Sequence, residues 1–215
     1  KVCEFAAFRD APDFVARTTG LRPLHFYEIV RADRRRYHYA DVEVEAGDVA
    51  PGAALPAPGG VLSAVAVFWA DAFAAVLRVP DAGAPLVTRA CSDAKVSLHL
   101  VWPGAGAFAD HQHHAAFTDA AWQLLRADPG FAAHARALRR CDGGGRAHAF
   151  AVDFSVYSRD RQMRALGSTK AGSERVLRKW HGQEGVPDAR FFITHVPPDA
   201  PLLPRAAGAP AQRAC

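Results

Sequence analysis

Residues 37–45 read YHYADVEVE, and the alternation within them decides the fold. Successive side chains of an extended chain point to opposite faces, so His38, Ala40, Val42 and Val44 fall on one side and Tyr39, Asp41, Glu43 and Glu45 on the other. Two further stretches alternate in the same way. In KVSLHLVW, Val96, Leu98, Leu100 and Trp102 oppose Lys95, Ser97 and His99; in AHAFAVDFSVY, Phe150, Val152, Phe154 and Val156 oppose Asp153, Ser155 and Tyr157. Apolar faces packed on helices would turn all three polar faces the same way. Asp41, Glu43 and Asp153 would then share a surface with Lys95, Ser97 and His99.

A solvent-facing antiparallel sheet also alternates. The mixture separates the two readings: acids on one strand, Lys, Ser and His on another, and a lone Asp among small residues on a third suit a metal and phosphate site. Carboxylates two positions apart lie roughly 6.5–7 Å apart at Cα. They can reach a pair of divalent ions about 3.5–4 Å apart, the arrangement used for in-line phosphoryl or nucleotidyl transfer.

Working outward, the periodicity predicts helices over 10–18, 62–77, 117–126, 131–140 and 174–180. Strands are predicted over 25–30, 37–45, 95–102, 147–157, 164–170 and 191–196. GDVAPGAALPAPGG is a Pro/Gly loop, and CDGGGR marks a turn; the latter precedes a strand, so a phosphate-cradling loop is not supported. HQHH at 111–114 opens a helix without a Cys or carboxylate partner set and reads as a solvated helix start. The apolar run near 60–77 carries Asp71 and reads as too short and interrupted for a membrane span. Residues 1–196 form the expected catalytic core, and the Pro/Ala-rich 197–215 a linker or tail.

The chain has 215 residues, 50% hydrophobic and 22% charged, with net charge +4, the composition of a globular domain able to bury a core. The basic character is local. Arg159, Arg161, Arg164, Lys170, Arg175, Arg178 and Lys179 face only Asp160 and Glu174, an excess of five that exceeds the whole chain's +4. Such a stretch suits contacts to a nucleic-acid backbone. Cys3, Cys91, Cys141 and Cys215 are scattered, so neither a structural zinc site nor a disulfide framework is expected, and an intracellular, reducing compartment fits.

At these residues the sequence resembles the PrimPol (primase-polymerase) family of the archaeo-eukaryotic primase superfamily. Its motifs occur in order: DxE as Asp41 and Glu43, SxH as Ser97 and His99, and the later lone Asp as Asp153. HFYEIV, SDAKVSLHLVW and VDFSVYSRDRQMRALGSTKAG also resemble the matching segments, so the likeness runs roughly over 24–175. The resemblance implies an α+β core of two αβ modules, one RRM-like, around a central cleft. Asp41, Glu43 and Asp153 would bind two Mn2+ or Mg2+ ions, and Lys95, Ser97 and His99 the incoming triphosphate. Arg161, Arg164 and Lys170 would face phosphates, and Tyr27 the nucleotide's sugar.

The activity implied is primer extension on a DNA template with dNTP or NTP, favouring Mn2+, in replication or damage-tolerant repriming. Partners implied are template–primer DNA and a single-stranded-DNA-binding protein or helicase, with no membrane, for a monomeric chain. The location would be nucleus or mitochondrion in a eukaryote, or the host cell for a virus. A viral helicase-primase core and a catalytically silent nucleic-acid-binding module are the alternatives. The family's C-terminal zinc module is not within these residues, so extension is expected rather than de novo priming. Glu45 departs from the pattern and is read as capping the strand's exposed end.

Overall fold

The computed structural model describes residues 7–21, 24–50, 52–140 and 150–206. It is an α+β structure with antiparallel sheets and, among the described residues, four α-helices. α1 (Ala11–Thr18) is capped by Asp10, whose side chain accepts the Asp13 N–H. β1 (Tyr27–Val30) and β2 (Arg36–Glu45) follow, then α2 (Pro58–Ala72), which continues as a π-helical turn over Phe73–Leu77. β3 (Leu86–Arg89) and the long β4 (Lys95–Phe108) lead into α3 (His111–Ala127) and α4 (Ala132–Leu138). β5 (Arg161–Arg164) and β6 (Arg178–Lys179) complete the elements the site uses.

The main sheet has the order β2-β4-β3-β6, and β1 pairs with β5 in a separate two-stranded sheet. Val42, Val44, Val96, Leu98, Leu100 and Trp102 are buried on the core face as the alternation requires. They meet Val61, Val65, Phe68, Trp69 and Ala72, a stripe at helical spacing along α2, and Phe117, Ala121 and Leu125 of α3. α2 is apolar almost all round, yet only this stripe is buried and Val67 is half exposed. With its π turn it spans Pro58–Leu77, one uninterrupted helix long and apolar enough to cross a membrane by length and composition. The interruption expected at Asp71 does not occur, and the buried stripe packs the helix into the protein's own core.

Several sequence expectations are corrected. Residues 147–149 of the strand predicted over 147–157 lie outside the described residues; the described part makes only isolated bridges at Phe150 and Val152, after which Phe154–Tyr157 turns into a 3-10 helix. The Asp153 carboxylate causes this by accepting the Ser155 N–H, a local bond that competes with strand pairing. The CDGGGR turn lies outside the described residues.

The strand predicted over 164–170 does not form: β5 lies upstream and ends at Arg164, after which the chain turns through Gly167, at φ 82°. No helix forms over 174–180. There the Leu177 and Trp180 amides donate to the Ser168 and Val87 carbonyls, which holds the segment extended and makes β6. No strand forms over 191–196 either, because the Ile193 and Thr194 amides donate to the Glu28 carboxylate. Beyond Pro197, the chain pairs with β4 by Ala107 N–H to Pro201 O and Leu203 N–H to Ala107 O, with Leu203 and Ala206 buried.

The HQHH stretch is not a solvated helix start. His113 and His114 are buried, and His114 Nε2 lies 3.0 Å from His38 Nδ1. His38 packs among the rings of Trp69, Trp102 and Phe117. Burial pushes both His38 and His114 well below the ordinary imidazole pKa, so the pair is neutral.

Candidate active site

β2 and β4 are antiparallel in a register that sets Asp41 opposite His99, Glu43 opposite Ser97 and Glu45 opposite Lys95. Residues directly opposite share a face, so the polar side chains predicted to converge do so as cross-strand pairs. Asp153 joins from the other edge of β2. Val42 bridges Val152 between two backbone bonds, Glu43 N–H to Ala151 O and Asp153 N–H to Asp41 O, both 2.9 Å. This places Asp153 beside Asp41 on the site face, although its strand was expected to be far longer.

Two tyrosines fasten that segment. Tyr39 Oη donates to Val156 O and Tyr157 Oη to Tyr39 O, each at 2.8 Å. Burial raises the pKa of both phenols, which stay protonated donors. Both residues fell on the polar faces in the sequence, where their positioning role was not legible.

The acids differ in how they are held. Glu43 Oε2 lies 2.8 Å from Lys95 Nζ, and its Oε1 lies 3.5 Å from Lys170 Nζ. Burial raises the Glu43 pKa, but the two lysines outweigh it and hold the carboxyl below the ordinary glutamate value. Lys95 also binds Glu45 at 2.8 Å; burial works against its charge, but both glutamates outweigh that and raise its pKa. Glu45 is exposed, and its amide donates to Asp48 Oδ2, consistent with an end-of-strand role.

Asp41 is unlike the others. Its Oδ1 is buried with no hydrogen-bond partner, and His99 Nε2, at 3.6 Å, is too far to supply one. Burial lowers the His99 pKa against the pull of Asp41, so His99 is a neutral donor at pH 7. An orphaned carboxylate oxygen is costly unless something with a positive charge or a donor hydrogen completes it.

Arg164 ends β5 opposite Tyr27, which is exposed at the rim. Its guanidinium is buried, with Nε unpartnered and Nη1 donating to Arg175 O. Burial lowers its pKa, while Tyr27, Asp41 and Glu43 pull the other way. Arg161 is set apart: it pairs with Val30 at the far end of β5, and strand parity turns it to the face opposite Arg164. A small cavity of about 20 Å3, room for a single water, lies between the sheets among Glu28, Tyr39, Thr88, His99 and Arg164. Sequence reading passed over Glu28 and Thr88. Glu28 had one signal, a lone acid in a short apolar strand; burial raises its pKa against the bonds from Thr194 and Ile193.

The donor chemistry fits divalent metal: carboxylates from neighbouring backbones, one with a buried free oxygen. As the side chains stand, no three His, Cys, Asp or Glu among the described residues form a group that could hold an ion. Glu43 is turned to the lysines, and Asp153 Oδ1 caps the Ser155 amide. Ser97 is buried, with its amide against Cys91 Sγ at 3.4 Å.

Neither family models nor curated proteins match the chain.

Proposed function

We propose that this chain is the catalytic core of a template-dependent primase-polymerase of the archaeo-eukaryotic primase type, adding nucleotides to a primer 3′-hydroxyl. The observation that carries the reading is the pairing of Asp41 with His99 and Glu43 with Ser97 across two strands, with Asp153 bonded to the backbone of Asp41. In this reading the β1/β5 and β2/β4 sheets belong to two modules, and the space between them receives the nucleotide.

Asp41, Glu43 and Asp153 would hold divalent metal, which spreads the charge of the transferring phosphate and lowers the pKa of the attacking hydroxyl. The incoming triphosphate competes with Glu43 for Lys95 and Lys170, since a polyanion is the stronger partner for both ammoniums. Neutral His99 donates a hydrogen bond to a phosphate oxygen without adding charge. Arg164, whose Nε lacks a partner, supplies a fixed cation that screens the leaving pyrophosphate. Tyr27 offers an exposed ring beside Arg164 for the sugar.

One observation favours a second reading, a catalytically silent nucleic-acid-binding module: Glu43 is tied down by two lysines and the acids do not close into a metal-binding group. Incubating the chain with a primer–template, a labelled dNTP or NTP, and Mn2+ or Mg2+ separates the two. Template-directed addition supports the polymerase; binding of primer–template without addition under any metal supports the silent module.

A further inference from the structure

Outside the candidate active site, the edge of the main sheet carries an open groove of about 310 Å3, lined by Arg89, Cys91, Glu174, Arg175 and Arg178. Arg89 and Arg178 are opposite one another on β3 and β6, and both are exposed. Neither they nor Arg175 is paired with a carboxylate among the described residues, whereas neighbouring Lys179 is held by Asp188 at 2.6 Å. Glu174 is the one acid in the lining, so the groove keeps a surplus of positive charge.

Parity separates this groove from the reacting groups. Thr88 and Lys179 pair on the face that carries His99, so Arg89 and Arg178, one position along, point to the other face. The connecting chain bridges the two. Lys170 reaches Glu43 at the site, and Arg175 receives the Arg164 Nη1 bond through its carbonyl before the chain arrives at Arg178. A basic track thus leaves the site and turns over the sheet edge. It passes aromatic rings there: Arg89 lies 5.7 Å above the Trp180 ring, and Trp180 pairs with exposed His181 at 4.6 Å.

We infer that this groove is a docking track for the sugar–phosphate backbone of a single-stranded stretch of nucleic acid leaving the active site, with His181 as an exposed ring for a base. Unpaired guanidiniums in a groove beside aromatic rings are the combination by which single strands are held without sequence preference. The inference rests on the polymerase reading for what enters the site, but the groove's own chemistry requires only a flexible polyanion with stackable rings.

The test measures binding of a fluorescein-labelled oligo-dT of about 20 nucleotides by anisotropy across a salt series, without metal or nucleotide. Arg89→Ala/Arg178→Ala is expected to weaken binding about tenfold at low salt and to reduce the slope of log affinity against log salt by about 1.4, the value for two lost phosphate contacts on a single strand. Arg126→Ala/Arg136→Ala, which removes equal charge from α3 and α4, is expected to change affinity less than about twofold. Thermal melting accompanies each variant, and an Arg89→Gln/Arg178→Gln pair replaces the alanines if they unfold early.

Unchanged binding by the groove variants overturns the inference. So does equal weakening by the α3/α4 variant, or displacement of the oligonucleotide by polyglutamate at equal charge. Loss of binding in a chain that never extends a primer leaves the track standing and sinks the polymerase; extension with unaltered binding does the reverse.

Discussion

The Asp153 N–H donates to the Asp41 carbonyl oxygen at 2.9 Å, so two acids far apart in the chain are fixed side by side by backbone rather than by their own charges. The Asp41 side chain is therefore free for chemistry and replaceable without loss of the fold, whereas the Asp153 carboxylate also accepts the Ser155 N–H. Asp41 makes this sharpest, because its Oδ1 is buried without a partner. Asp41→Asn is expected to abolish nucleotide addition while the melting temperature holds or rises by a few degrees, since an unpaired buried carboxylate costs stability. Calorimetry on the two proteins checks it.

Tyr157 gives a contrasting case. Its hydroxyl is buried and donates to Tyr39 O at 2.8 Å, clamping the turn that carries Asp153. Tyr157→Phe should cost about 1–2 kcal/mol by leaving that carbonyl short of a donor. It should lower kcat more than it raises KM, because a loosened Asp153 affects the reacting centre more than nucleotide binding. Urea unfolding and steady-state kinetics on the same preparations test both halves.

The β2 and β4 faces were legible in the sequence because each side chain's role followed from parity alone. Asp153 was identified for a partly mistaken reason. AHAFAVDFSVY alternates to its end, but among the described residues only Val152 bridges β2 before the Asp153 side chain bends the chain into a 3-10 turn. The segment after Gly167 was illegible because its amides bond outside any helix or hairpin period: Leu177 reaches back to Ser168, while Trp180 bonds Val87 and Ile193 and Thr194 bond Glu28, all distant in sequence. Local propensity carries no trace of such bonds. His113 and His114 misled in the opposite sense, since polar letters at a helix start gave no hint of the aromatic core around them.

Lys95 and Glu43 form a largely buried pair, 12% and 25% exposed. Lys95→Met should destabilise the fold by about 1–3 kcal/mol, because Glu43 then keeps its burial with only the longer contact to Lys170. Adding Glu43→Gln should recover more than half of that loss. A double-mutant cycle by denaturant unfolding measures the coupling, and additive effects would contradict the pairing.

The buried His38–His114 pair sets a pH dependence. Both imidazoles are held well below the ordinary value of 6.5, so below that pH the unfolded chain takes up protons that the folded one refuses. Stability is then full above about pH 6.5 and falls as pH drops, by about 1.4 kcal/mol per pH unit for each histidine. The nearby Arg36, His111 and His113 charges reinforce this for His114. His114→Gln should flatten the profile between pH 6 and 5 by roughly one histidine's share, read from unfolding midpoints at each pH.

In the proposed function, Asp41 and Asp153 act as one metal-binding pair in nucleotidyl transfer. The most direct measurement is primer extension on a DNA template by the wild-type chain, Asp41→Ala and Asp153→Ala, with Mn2+ and Mg2+ in parallel and circular dichroism confirming the fold. Wild-type addition, stronger with Mn2+, and loss in both folded variants is the predicted result; full extension by either variant would contradict it.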